Sequence, residues 1–554
     1  MTMNSMRLIG TGVLLGAALR SAHAAPPLPE IDQTPRQQWQ DMQDRWRTQQ
    51  QESRRKSLQE SSPAVAEPML APEQGTACLP WQTMRVQGLD LLSEARRNAV
   101  LAAVPSGCIT ARGLGELSRL ITDMFLQEGY FRIDLDPSQA DRQLTWTVRP
   151  AKVTAIRNST ALSSGNLFPG LIGKPVNVHD LDEGLEQANR LGGHHVTMDV
   201  YPDEQGNVAI ALTDEAQGAV HGSIGWNDFG QDSTGRAQVD AQLSVDNLVG
   251  LADNLGVNAA STIHTDSSHY SRNAGFFYSI PYGYWTFSAL GGASVYRTQT
   301  QLIYNTVRQD GDSWFAGLRA EYVFSRDAAH ISSIYGQLTR AAVKSRFMGT
   351  TLDIQSPSLA TFSIGLNHTA LLGGNALGAN VEYKQGLHWL GADKDGPESD
   401  LPAAQFKKLA ASFSWSHAYR LGAHTVRFDH VLVGQYSADS LPSLEQIGVT
   451  DRSAVRGFRD LYLTGDYGYY LRQTVTSPWP VGNSVFSPYL GIDAGRTRQH
   501  GGQWQSAVSG SVGITFDRKP WSANIALSRG KAFAQGIGSD AWDTECMAQV
   551  RAFF

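Results

Sequence analysis

From about Val220 to its last residue, Phe554, the chain alternates apolar and polar residues in one short run after another. Val239, Ala241, Leu243 and Val245 interleave with Gln238, Asp240, Gln242, Ser244 and Asp246, and Trp285, Phe287 and Ala289 with Thr286 and Ser288. The final stretch sets Ala548, Val550, Ala552 and Phe554 against Gln549, Arg551 and Phe553. A period of two puts each set on its own face of a strand. Two folds accept that pattern: a transmembrane barrel with an apolar outside and a wet inside, or a soluble sandwich with its polar face outward. Alternation alone does not choose. Three further features select the barrel: an export signal at the N-terminus, a strand ending on phenylalanine, and an aromatic content of 9% beside only 18% charged residues. No stretch after that signal approaches the roughly 18 consecutive apolar residues of a membrane helix. At roughly 20 residues per strand and connection, about 335 residues make about sixteen antiparallel strands.

The N-terminus carries Arg7, an apolar run from Leu8 to Leu19, and then Ala22-His23-Ala24, the small-x-small pattern cut by a signal peptidase. Residues 1–24 are therefore expected to be a cleaved signal peptide. A helix is expected over 30–57, with Thr34 as N-cap and Pro35 at its first position. Its apolar stripe is thin: Trp39, Met42 and Trp46. Such a helix buries too little for an ordinary core. It suits a polar-walled cavity, and a solvated tail is the other reading the residues leave open. Residues 58–76, rich in Pro, Ala and Glu, read as a linker.

Residues 77–149 and 150–216 read as two similar units, each strand-helix-helix-strand-strand. In the first, strand Met84–Leu89 precedes a helix from Ser93 to Val104. A second helix starts near Thr110, with Leu114, Leu117, Leu120, Ile121, Met124 and Phe125 as its apolar face, and Gly129 ends it. Strands Tyr130–Leu135 and Leu144–Val148 follow. The second unit has strand Val153–Arg157, a helical turn near Gly165–Leu171, helix His179–Leu191, and strands Val196–Tyr201 and Val208–Leu212. Twice in tandem, this order is the pattern of POTRA domains. Cys78 and Cys108 lie in the first unit. An exported chain meets an oxidising compartment, so these two are expected to form a disulfide, worth about 3–4 kcal/mol on a chain-entropy basis. Two buried free thiols are the alternative.

A net charge of −6 lacks the basic footprint of a nucleic-acid partner. Catalytic signals are missing too. Gly510-Ser511-Val512-Gly513 has no strand-to-helix context for a nucleophile elbow, and Gly170-Leu171-Ile172-Gly173-Lys174 has neither the spacing nor the hydroxyl of a phosphate loop. His194-His195 is placed in a strand of the second unit, as a structural pair. The expectation is no enzyme, no metal and no cofactor.

Several segments carry a resemblance. Asp246-Asn247-Leu248-Val249-Gly250-Leu251-Ala252-Asp253 and Tyr278-Ser279-Ile280-Pro281-Tyr282-Gly283 look like early-barrel segments of the two-partner secretion transporters (TpsB proteins), members of the outer-membrane assembly barrel superfamily. Most specific are Ser453-Ala454-Val455-Arg456-Gly457-Phe458, followed by Gly465-Asp466-Tyr467-Gly468-Tyr469-Tyr470-Leu471, and Gly491-Ile492-Asp493-Ala494-Gly495. Arg472-Gln473-Thr474-Val475 departs from the family's common Arg-Asn-Glu-Leu. The resemblance covers the whole mature chain. It implies a barrel at 217–554 with a loop near 442–468 folded inward, so that Arg456, Gly457 and Phe458 meet Asp493 and Gly495 in the lumen. It also implies a plug role for the helix of Trp39, Met42 and Trp46, and Phe554 as a signal read by the barrel assembly machinery. The implied partners are outer-membrane lipid and a secreted TpsA-type exoprotein, an adhesin, haemolysin or contact-dependent inhibition toxin. An assembly factor that inserts other barrels is the alternative function.

Overall fold

The computed structural model describes residues 50–52, 54–56, 58–59, 77–263, 268–301, 305–395, 402–422, 424–534 and 542–554. The expected signal peptide, the residues Trp39, Met42 and Trp46, and the linker from residue 60 onward lie outside the described residues. Residues 58 and 59 are helical, so the N-terminal helix runs past 57 and the linker begins later than the composition suggested.

The first unit is built from β1 (Thr83–Gln87), α1 (Glu94–Ala102), α2 (Ala111–Gln127), β2 (Ile133–Ala140) and β3 (Gln143–Pro150). Thr110 caps α2 by accepting the Gly113 N–H at 3.1 Å. Leu117, Ile121 and Phe125, four apart on one face, pack with Val86, Val100 and Val148. The sheet order is β1-β3-β2, with β1 parallel to β3. The strand expected at Tyr130–Leu135 starts later, at Ile133, and runs to Ala140. The reason is local: the Tyr130 N–H bonds back to the Phe125 carbonyl at 2.9 Å and its ring meets Phe125 edge-on, so Tyr130 belongs to the helix stop. Pro137 is tolerated because β2 is an edge strand. Cys78 and Cys108 form a disulfide, with Cα atoms 5.2 Å apart.

The second unit repeats the plan with β4 (Val153–Asn158), α3 (Ser164–Leu167), α4 (Val178–Asn189), β5 (Val196–Pro202) and β6 (Val208–Asp214), in sheet order β4-β6-β5. Asn177 caps α4 by accepting the His179 N–H at 2.9 Å. Gly184 lies against the Phe168 ring, where any Cβ would collide. His194 and His195, expected in a strand, instead lie just before β5, which starts at Val196. There His194 Nδ1 lies 2.6 Å from an Asp214 carboxylate oxygen.

Among the described residues, sixteen antiparallel strands then close a barrel, from β7 (Val220–Asn227) to β22 (Trp542–Phe553). Outward side chains are apolar and open: Leu318, Leu490 and Ile492 are 64%, 62% and 72% exposed. Inward ones are polar and buried, among them Asp240, Glu321, Glu382 and Asp493. An apolar outside with a polar inside is the reverse of a soluble sandwich, and it suits a lipid surround. Strand β12 (Thr306–Arg326) carries a bulge between Val323 and Ser325. The bulge shifts the alternation by one, so that Arg326 faces inward together with Arg319, Glu321 and Val323. The last strand registers with the first over only five residue pairs, against eleven with its other neighbour. Phe554 lies just beyond that ladder, exchanging both backbone hydrogen bonds with Gly222 and leaving its ring 65% exposed.

Candidate functional site

The interior of the barrel is occupied by the chain itself. Residues 438–466, between β17 (His424–Ser437) and β18 (Tyr467–Thr476), fold back inside, a span that starts and ends slightly before the expected 442–468. The Arg456 guanidinium donates to both oxygens of Asp493, through Nε and Nη2, each at 2.7 Å. Its Nη2 also reaches the Gln473 carbonyl at 3.1 Å, and its backbone N–H reaches Asp493 at 3.2 Å. Ser509 donates to the same carboxylate at 3.2 Å. Both partners are buried, Arg456 at 4% and Asp493 at 1% exposure. A two-pronged, charge-assisted contact fixes direction as well as distance.

The spacing of Gly491, Asp493 and Gly495 now has a physical meaning. All three face inward, so the glycines clear space on either side of the carboxylate. A Cβ at Gly491 would strike the Arg456 guanidinium, and one at Gly495 would lie 3.0 Å from Val455. Gly457 adopts φ +89°, and a Cβ there would lie 3.0 Å from the Gly530 nitrogen of the wall. The Phe458 ring fills the slot that Gly530 leaves open. Ile447, Val449, Val455, Phe458, Leu463 and Tyr470 form an apolar knot around the tip.

Sequence reasoning missed the loop's other anchors. Arg459 donates to the Gly230 carbonyl at 2.9 Å and the Cys546 carbonyl at 3.2 Å, and also to the Asp228 carbonyl. It thereby touches residues from both sides of the junction between first and last strands. Glu445 lies 2.7 Å from Lys408 and 3.3 Å from Lys384, both on the wall. Isolated inward charges far apart in sequence give no local spacing to read. The Arg-Gly-Phe-Arg run of residues 456–459 was the one signal available for Arg459.

The N-terminal helix reaches the same lumen. Gln50 donates to Glu321 at 2.8 Å, and Arg54 donates to Glu321 and, at 3.0 Å, to Ser333. Arg319 also binds Glu321 at 2.9 Å. Leu58, 4% exposed, packs on Val323 and Ile331 at the end of the barrel nearer the second unit. Polar wall contacts hold Gln50 and Arg54, and apolar burial holds Leu58.

Helix α4 of the second unit stands on that rim. Arg326 lies 3.1 Å from Glu183 and binds Glu186 as well. Arg190 donates to the Ala252 carbonyl at 2.8 Å, and the Gly193 N–H to Asp246 at 2.7 Å. Burial and then the neighbouring Glu186 charge push the Glu183 carboxyl up to about 7, with Arg326, Gln187 and Arg54 pulling the other way. A raised carboxyl pKa means that the docked state holds the proton better. Stability of this contact is therefore full below the ordinary carboxylate range and is lost as pH rises toward 7. Nearby Asp182 is shifted the same way by burial, while buried His179 is lowered and opposes the trend only below its ordinary pKa. Hydrogen exchange of α4 amides should be more protected at pH 6 than at pH 8, and Glu183→Gln should flatten that difference. An unchanged difference in the variant would remove Glu183 as its cause.

A closed barrel with an apolar exterior, two small α+β units in tandem with the second on one rim, and a lumen filled by its own chain is the architecture of an outer-membrane secretion barrel. The family described as haemolysin secretion/activation protein ShlB/FhaC/HecB matches residues 206–516, and a POTRA domain matches residues 149–202. The hemolysin transporter protein ShlB of Serratia marcescens is 35% identical over 86% of this chain and 87% of its own length. The hemolysin transporter protein HpmB of Proteus mirabilis is 30% identical over 87% of each. The solved structure of CdiB from Escherichia coli superimposes with a TM-score of 0.84 at 26% identity, covering 94% of this chain and 98% of that one. This chain belongs to the ShlB/FhaC/HecB family, the outer-membrane transporters of two-partner secretion, with its POTRA domains in the periplasm.

Proposed function

We propose that this transporter exports a large haemolysin- or toxin-type exoprotein, which docks by its N-terminal secretion domain on the POTRA units and crosses the barrel unfolded. The observation that carries this reading is a lumen filled by two separately anchored elements, the loop on Asp493 and the helix on Glu321. A passive pore has no use for two such occupants, whereas a gated one needs them removable. Among the described residues, the outer edges of β2 and β5 carry no pairing strand, and β5 presents an exposed Tyr201 beside its edge. Such edges can accept an extended segment by strand addition. The substrate then displaces the helix, and its folding outside gives the passage a direction. No nucleotide-binding motif is needed for that.

Co-expression with a haemolysin- or toxin-type exoprotein that carries an N-terminal secretion domain tests the reading. The full chain should release that exoprotein to the cell surface. A variant lacking residues 30–57 should still export it while showing raised or unsteady single-channel conductance. Loss of export at normal barrel levels would overturn the plug assignment. Export unaffected by removal of the whole chain, with other outer-membrane barrels depleted, would favour an assembly factor instead.

A further inference from the structure

Tyr284 sits in the turn between β10 (Tyr270–Tyr282) and β11 (Trp285–Gln301), at the rim that carries the second unit. It makes two contacts on unlike partners. Its hydroxyl donates to Asp180 of α4 at 2.7 Å, and its ring packs against the cluster that Leu58 forms with Val323 and Ile331. Strand β12 repeats the same double attachment within six residues: Glu321 holds Arg54 of the inner helix, and Arg326 holds Glu183 and Glu186 of α4. The bulge at Val323/Ser325 lies between those two attachments. A cavity of about 260 Å³ opens beneath the joint, lined by Phe168, Pro169, Asp180, Glu183, Tyr284 and Trp285. The helix thus stands on polar bonds over open space, where rocking displaces few packed atoms.

We propose that Tyr284 and Arg326 are positioning residues that couple the second POTRA unit to the inner helix, so that substrate docking on the unit loosens the helix from the lumen. The inference rests on the docking and plug reading above and adds the route between the two. Rotation of α4 pulls on the Tyr284 turn and on the end of β12 at once, two of the wall elements against which Leu58 packs. Arg326 keeps these in step because two carboxylates of one helix share its single guanidinium. Tyr284→Phe cuts one strand of this linkage without touching the other, since the ring keeps its packing and only the bond to Asp180 is lost.

The test traps the helix in place. The Gln51 amide lies against the wall beside Gly378 and Ser414, so Gln51→Cys with Ser414→Cys, in a Cys546→Ser background and treated with a bifunctional thiol cross-linker, reports occupancy of the lumen as cross-link yield. The full-length protein is reconstituted in lipid vesicles, and the probe is the N-terminal secretion domain of the exoprotein whose export the co-expression assay establishes. Adding the probe should lower the yield in the parent. Tyr284→Phe or Asp180→Asn should weaken that response about tenfold, the scale of one hydrogen bond to a charged acceptor, while leaving the resting yield and probe binding unchanged. Arg326→Gln should weaken it likewise and Arg326→Lys should restore part of it. If the probe lowers the yield equally in the parent and in Tyr284→Phe and Arg326→Gln, the coupling is wrong although the plug reading stands. If the probe binds the parent without lowering its yield, the plug-release reading fails and this inference falls with it.

Discussion

Asp493→Ala is expected to leave an inserted barrel that exports nothing, and Arg456→Ala to leave one that still exports a little. The asymmetry comes from Arg472, whose position on β18 lies opposite Asp493 in the ladder with β19 (Ser484–Arg498). Without Arg456, Asp493 keeps Ser509 as a donor and Arg472 as a neighbouring cation. Without Asp493, two guanidiniums face each other in a space shaped for a pair of opposite charges. Breaking a buried pair costs about 3–5 kcal/mol, and less where water can enter. Even part of that is enough to move a loop held by a few such contacts. The exchange Arg456→Asp with Asp493→Arg should recover little, because the transplanted arginine then sits beside Arg472. A double-mutant cycle on secretion yield decides the matter. Effects that simply add would mean the two residues do not act through each other, and equal yields of the two single variants would remove Arg472 from the account.

Removing residues 150–216 should have an equally large effect on export and little on the barrel. The barrel closes through its own ladders, and of the residues in the second unit's buried core only Ala252 comes from a barrel turn. Most of the other contacts at the rim are polar, such as Arg190 with Ala252 and Gly193 with Asp246, beside the apolar meeting of Pro169 with Gly283, and water can replace part of them. Heat-modifiable migration of the shortened protein should match that of the full chain, with export at background. Export that persists would place docking elsewhere, and an absent barrel would show that the unit is needed for assembly.

What could be read from the residues follows from how far each signal reaches. Alternation at Val239–Asp246 or Trp285–Ala289 is a local consequence of a half-buried strand, and it was legible. So was α2, where a cap at Thr110 and an apolar stripe ending at Phe125 agree. The pairing of Arg456 with Asp493 came from resemblance, because nothing local connects residues 37 apart. Glu321, Arg326, Arg459 and Glu445 escaped notice for the same reason: an inward-facing charge in a barrel strand or loop looks ordinary until its partner is known. The start of β2 was misplaced because Tyr130 has the composition of a strand residue but is held by the helix stop. The facing of Arg326 depends on one unpaired residue in the ladder, which leaves no mark in the composition of β12.

The shortest ladder in the wall lies between the last strand and the first, and Arg459 reaches across its outer end from the tip of the inward loop. The same segment therefore serves as stopper and as stitch. Drawing it out of the channel widens the passage and, in one motion, weakens the barrel's resistance to being pried open around its circumference. Arg459 thus ties the bore to the hoop strength of the wall, so a channel of this design loses one of its circumferential ties whenever the loop leaves.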